Sequence, residues 1–156
     1  MDSFIVIHNH DNNPLGKLED FIKKFTSIHP QIPCSFTNSE DFAKAAAKGN
    51  VIYVVSWKVD LGGMKEYLLG YKFVCTIIER GSKSYGHHFR WKFKNTVEEL
   101  EKTYRGCYFE CPIKINSPVV TNWFDFYDDN AMKGIPLNIA NELDEIFKTN
   151  NFKEFI

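Results

Sequence analysis

Ser56 and Trp57 close an apolar run, Val51–Val55, and stand just before a Gly-Gly turn. A hydroxyl and an indole at the mouth of a strand can hold a flat ring, one by its polar edge and the other by its face. Asn9, His10, Asp11 and Asn12 form a second polar group, directly after another apolar run. His8 and His10 make one histidine pair and His87-His88 another. Two such pairs could hold a metal or act as general acid and base, the chemistry of a metal-dependent nuclease. No Asp, Glu or His spacing matches a known metal-ligand or nucleophile pattern, and there is no Gly-rich phosphate loop. Tyr85, flanked by Ser84 and Gly86, and Trp123, among Phe124, Phe126 and Tyr127, are further aromatic candidates.

The elements that must position these groups follow from periodicity. Ser3–His8 alternates and predicts a first strand. Leu18, Phe21, Ile22, Phe25 and Ile28 share one face of a helix over Lys17–Ile28, which Pro30 and Pro33 prevent from continuing. Thr37 and Glu40 have the spacing of a capping box and predict a short helix, Asp41–Lys48, ended by Gly49. Val51–Trp57 and Tyr67–Ile78 predict a hairpin turning at Asp60–Gly63. His87–Phe93 predicts a strand with one apolar and one basic face, and Asn95 a cap for a helix over Thr96–Tyr104. Gly106–Ile115 predicts a strand that Pro112 pushes to an edge or a bulge. Ser117–Tyr127 has no clear period. Pro136 suits the first position of a helix over Leu137–Lys148, with Ile139, Ala140, Leu143, Ile146 and Phe147 on its inner face. Five or six strands with helices at both ends predict one α+β domain over 1–156, a small mixed barrel with an aromatic pocket.

With 156 residues, 44% of them hydrophobic, the chain can bury one ordinary core. Aromatics reach 15%, with fourteen Phe, enough to fill that core and line a site. The net charge of −1 announces no partner, but Lys65, Lys72, Lys83, Arg90, Lys92 and Lys94 cluster in the middle of the chain, whereas its last forty residues are acidic. A neutral sum of this kind can hide a basic wall. Cys75 lies inside an apolar strand and belongs to the core. Cys107 and Cys111 would face one side of a regular strand, but a second ligand pair for zinc is missing. Apolar runs are of strand length, and a basic signal-peptide start is lacking, so an intracellular protein without membrane contact is expected.

Four blocks occur in an order that resembles the YTH domain, a branch of the PUA-like barrels that also includes the EVE domain. They are Phe4-Ile5-Val6-Ile7 with its polar turn; Ile32-Pro33-Cys34-Ser35 with a Thr/Asn turn and an Ala-rich helix; Gly49–Ser56 with its hairpin and Leu69-Gly70-Tyr71; and Phe89-Arg90-Trp91-Lys92-Phe93, followed by Pro118-Val119 and Gly134-Ile135-Pro136-Leu137. The resemblance spans nearly the whole chain. It implies a curled mixed barrel and a non-catalytic module, free-standing or part of a larger protein or complex. Such a module captures a methylated base, for example N6-methyladenine, from single-stranded RNA or flipped from DNA, and needs no cofactor. Stacking on aromatic rings is worth about 1–3 kcal/mol per base, and burial of the methyl adds about 0.8 kcal/mol.

By position, the resemblance implies that Asn9, His10 and Asn12 read the base edge. It implies that Pro33, Cys34 and Ser35 form one wall with a backbone acceptor. Ser56, Trp57, Tyr85 and Trp123 would complete the pocket, and Lys83, Arg90, Lys92 and Lys94 would hold phosphates. Where the family carries a cage Trp, this chain has Pro33. RNA and DNA both remain open as the polymer. A metal-dependent nuclease and a protein-interaction domain without a nucleic-acid ligand stand as the alternative readings.

Overall fold

Phe4-Ile5-Val6-Ile7 and Ile52-Tyr53-Val54-Val55 are apolar on both faces, so each must lie inside a sheet that is covered on both sides. In the structure, a computed structural model, they do. It describes residues 2–9, 17–37, 40–80, 91–94, 106–126 and 133–156, with the backbone alone at 40, 43, 77, 79, 80 and 91–94. The strands are β1 (Ser3–Asn9), β2 (Cys34–Thr37), β3 (Asn50–Val59), β4 (Lys65–Cys75), β5 (Ile77–Arg80), β6 (Trp91–Lys94), β7 (Gly106–Lys114), β8 (Lys133–Gly134) and β9 (Lys153–Glu154). The helices are α1 (Leu18–Thr26), α2 (Glu40–Ala46), α3 (Pro118–Phe126) and α4 (Leu137–Thr149).

Six strands form one sheet in the order β8-β1-β3-β4-β7-β9, and β2-β6-β5 form a second. β1 and β3 run parallel, with Phe4 opposite Ile52 and His8 opposite Ser56. The other pairings in the large sheet are antiparallel. The fold is α+β. A closed curl was expected, but among the described residues β8 and β9 do not meet and the large sheet is open.

Strand alternation sorts the core into two halves. Phe4, Val6, Ile52, Val54, Tyr71 and Phe73 meet Leu18, Phe21 and Ile22 of α1 and Cys34 and Phe36 of β2. Ile5, Ile7, Tyr53, Val55, Tyr67 and Leu69 meet Val120 and Phe124 of α3 and Ile139, Leu143 and Phe147 of α4. α1 comes so close to β4 that a Cβ on Gly70 would lie 2.6 Å from Leu18 Cδ2. Gly70 is skipped in both neighbouring pairings, a bulge that seats the helix. Residues 109–112 of β7 loop out opposite it, because Tyr71 pairs with Tyr108 and Leu69 with Ile113. Pro112 therefore sits in a bulge, where a missing N–H costs least.

Several expectations shift. Ile28 lies beyond α1 and is exposed. Thr37 is still strand, and Glu40 opens α2 instead of standing at its third position, so the two do not form a capping box. The long second strand breaks at Thr76 and passes from one sheet to the other. Ser117–Tyr127 contains a helix, α3, whose buried residues Val120 and Phe124 are one turn apart. Pro136 is the N-cap of α4, in extended conformation, and its carbonyl accepts from Ile139 and Ala140 N–H. The β7 bulge rotates Cys111 to the surface while Cys107 stays buried, so the two thiols do not share a face. Cys75 is core, as expected. The hairpin turns at Asp60, whose carboxylate accepts from Gly62 and Met64 N–H, both at 2.9 Å. The expected helix over 96–104 and most of the strand over 87–93 lie outside the described residues. No described helix is long and apolar enough to cross a membrane.

Candidate functional site

β1 and β3 end side by side, and the pleat divides their last residues between the two faces of the sheet. His8 and Ser56 are register partners on the face toward β2. Asn9 and Trp57 are register partners on the face toward α3 and α4. On the first face His8 Nε2 lies 3.4 Å from Ser35 Oγ, long for a hydrogen bond. Ser35 is fully buried, Ser56 is 1% exposed and His8 8%. Among the described residues, the Ser56 hydroxyl has no hydrogen-bond partner. Such a group costs about 1–3 kcal/mol and is rare in folded proteins. Burial also pushes His8 down from 6.5 to about 4, so its imidazole is neutral at pH 7. The three are uncharged polar side chains buried on the face that carries the first half of the core, and together they are called the polar floor.

Pro33 and Cys34, which precede Ser35 in the chain, are buried. The Cys34 carbonyl accepts from the Tyr71 hydroxyl at 2.6 Å. Burial, and then Cys34 beside it, raises the Tyr71 phenol well above its ordinary value, so it remains a donor.

Of the expected aromatic residues, Trp57 and Trp123 are not on this side. Trp57 and Trp123 both pack, half-buried, against the core beneath α3 and α4. Lys65 Nζ stands 4.4 Å from the Trp57 ring centroid, a cation–π contact. Tyr67 packs on Phe124 with ring centroids 4.9 Å apart and donates to Asp125 Oδ1 at 2.7 Å. Its phenol is raised by burial first and by Asp125 second. The sheet thus separates Trp57, Trp123 and Asn9 from Cys34, Ser35 and Ser56.

Lys92 and Lys94 are on β6, opposite Phe36 and Cys34 in the backbone register. His10, Asn12, Lys83, Tyr85 and Arg90 lie outside the described residues. Among the described residues, no three His, Cys, Asp or Glu side chains are grouped to hold a metal. His8 escaped selection as a ring-binding residue. Its signal was present in the alternation of Phe4, Val6 and His8, which carries a titratable group onto a buried face.

The chain matches no protein-family model and no curated protein.

Proposed function

We propose that this chain is a non-catalytic nucleic-acid-binding module of the PUA-like, YTH-resembling kind. It takes one base at the shared end of β1 and β3, on the side of the small sheet. The supporting observation is the buried Ser56 hydroxyl, without a hydrogen-bond partner among the described residues, beside the neutral His8 and Ser35. Neutral donors and acceptors in apolar surroundings suit an uncharged heterocycle, whose polar edge replaces lost water contacts. Trp57 and Trp123 have no part in this pocket, because they lie across the sheet. N6-methyladenine in single-stranded RNA is the first ligand to try, with flipped modified DNA second.

The test is a binding panel of methylated and unmodified oligonucleotides in both sugar chemistries, with the parent protein and Ser56→Ala. The parent should prefer one modified base, and Ser56→Ala should reduce that preference without unfolding the protein. A parent that binds every oligonucleotide equally, or none, refutes the reading.

One observation favours a protein-interaction domain instead: Val59, Leu61 and Met64 are exposed together at the hairpin tip. Leu61→Ser with Met64→Ser would then abolish complex formation and leave oligonucleotide binding intact.

A further inference from the structure

Tyr71 is fully buried and carries a hydroxyl into the core. It pairs with Val54 on β3 and Tyr108 on β7, on the sheet face that also holds His8 and Ser56. Phe25 of α1 stands 5.0 Å from its ring centroid, Phe73 6.0 Å and Phe155 6.3 Å, so close packing gives the ring one seat. From that seat the hydroxyl reaches β2 and donates to the Cys34 carbonyl at 2.6 Å. Ser35, the next residue, is hydrogen-bonded to the same phenol through its side chain. Ser35 Oγ in turn lies 3.4 Å from His8 Nε2. His8, Ser35, Tyr71 and Cys34 therefore form one chain of polar contacts that links β1, β2 and β4.

Counting protons gives this chain a direction. A carbonyl oxygen only accepts, so the Tyr71 hydrogen points to Cys34. The phenol oxygen can then only accept from Ser35, and the single hydrogen of Ser35 points to Tyr71. Ser35 Oγ is left as an acceptor toward His8. Nε2 therefore carries the hydrogen of the neutral imidazole, and Nδ1 carries the lone pair. Reversing the Ser35 hydroxyl would set two lone pairs face to face inside the core, where the cost of an unmade hydrogen bond is greatest.

We infer that Tyr71 is a positioning residue for base recognition: through Ser35 it holds the hydrogen of His8 on Nε2, and so fixes which edge of that ring donates and which accepts. The inference rests on the base-binding reading above and adds how the polar floor selects. A His8 free to exchange tautomers would offer donor and acceptor in either order and would suit the edges of different bases. Held in one tautomer, it offers a single pattern and leaves a mismatched base with an unpaired group.

Two measurements test it. Proton–nitrogen NMR of the imidazole rings at pH 7, assigned with His8→Gln, reads the His8 tautomer without any ligand. Fluorescence anisotropy reads the binding of short labelled single-stranded RNAs with a central N6-methyladenine or adenine. The proteins are the parent, Tyr71→Phe, Ser35→Ala, the double variant and Tyr53→Phe, which removes a buried hydroxyl from the other half of the core. The parent should carry the His8 hydrogen on Nε2. In Tyr71→Phe the Ser35 hydrogen can turn to Nε2, so the ring should shift toward the Nδ1–H form. The preference between the two RNAs should then fall by about 2–10-fold, the worth of one hydrogen bond. Ser35→Ala should lower that preference at least as far, and adding Tyr71→Phe to it should lower it no further. Tyr53→Phe should change neither tautomer nor preference. A parent His8 with its hydrogen on Nδ1 overturns the inference, as does a Tyr71→Phe protein that keeps the parent tautomer or the parent preference; the base-binding reading survives each of these. Should Tyr71→Phe fail to fold, the parent tautomer and Ser35→Ala still decide, and an unaltered preference in Ser35→Ala overturns the inference. A parent that binds both RNAs equally, or neither, sinks the base-binding reading and the role of Tyr71 together.

Discussion

Replacing His8 by Gln should flatten the acid limb of the stability curve. The unfolded imidazole titrates near 6.5 and the folded one near 4. Between those values the unfolded chain holds a proton that the folded chain refuses. Stability from this group is therefore complete above pH 6.5 and declines as pH falls toward 4. A gap of about 2.5 pH units at 1.36 kcal/mol each comes to about 3 kcal/mol. That is a large part of the roughly 5–15 kcal/mol that holds a domain together. Urea unfolding followed by tryptophan fluorescence, at several pH values between 7 and 4, gives the curve for parent and variant. Subtracting the two removes the carboxylates common to both, and the difference should shrink by about 3 kcal/mol over that range. Parallel curves, or an NMR titration that places the His8 ring near 6.5 in the folded protein, refute the reasoning.

Other perturbations test the packing. Gly106→Ala should cost about 3–5 kcal/mol by thermal unfolding, because φ is +132° and the new Cβ would lie 2.0 Å from the Lys72 carbonyl oxygen; a loss under about 1 kcal/mol would contradict the close approach of β7 to β4. Asp144 Oδ1 accepts from Lys72 Nζ at 2.8 Å and from Tyr53 Oη at 2.7 Å. Asp144→Ala should therefore cost about 2 kcal/mol in chemical denaturation, and adding Lys72→Met should recover part of it; strict additivity would count against the pairing. Ser56→Ala should leave stability unchanged or raise it by about 1 kcal/mol, and a clear loss on unfolding would mean that the hydroxyl has a partner.

The parts legible in the sequence were those where pattern and environment agree. β1, β3 and α4 carry long apolar patterns, and each lies within two residues of its expected span. α3 was hidden because its aromatic residues are not confined to one face: Phe126 is 80% exposed and Trp123 half-buried, and only Val120 and Phe124 are fully buried. Cys107 and Cys111 were placed on one face by strict alternation, which the bulge at 109–112 breaks. Nothing local announces that bulge except Pro112. Ser56 and Trp57 were expected to share one hollow, although consecutive strand residues point to opposite faces. Lys17 was read as the start of a helix and not as a cation. Lys58, forty-one positions away in the sequence, lines the same cavity as Lys17 only through the tertiary fold.

The division between Ser56 and Trp57 works like a reading frame. One residue inserted or deleted between Ile52 and Val55 would carry the indole into the polar floor and the hydroxyl beneath α3. The tip at Asp60–Met64 lies past both, with Leu61 wholly exposed, and can gain or lose length without disturbing that choice. β7 already holds extra residues opposite Gly70. Drift in chain length during descent should therefore collect at the tip and the bulge, and leave the central parallel pair untouched.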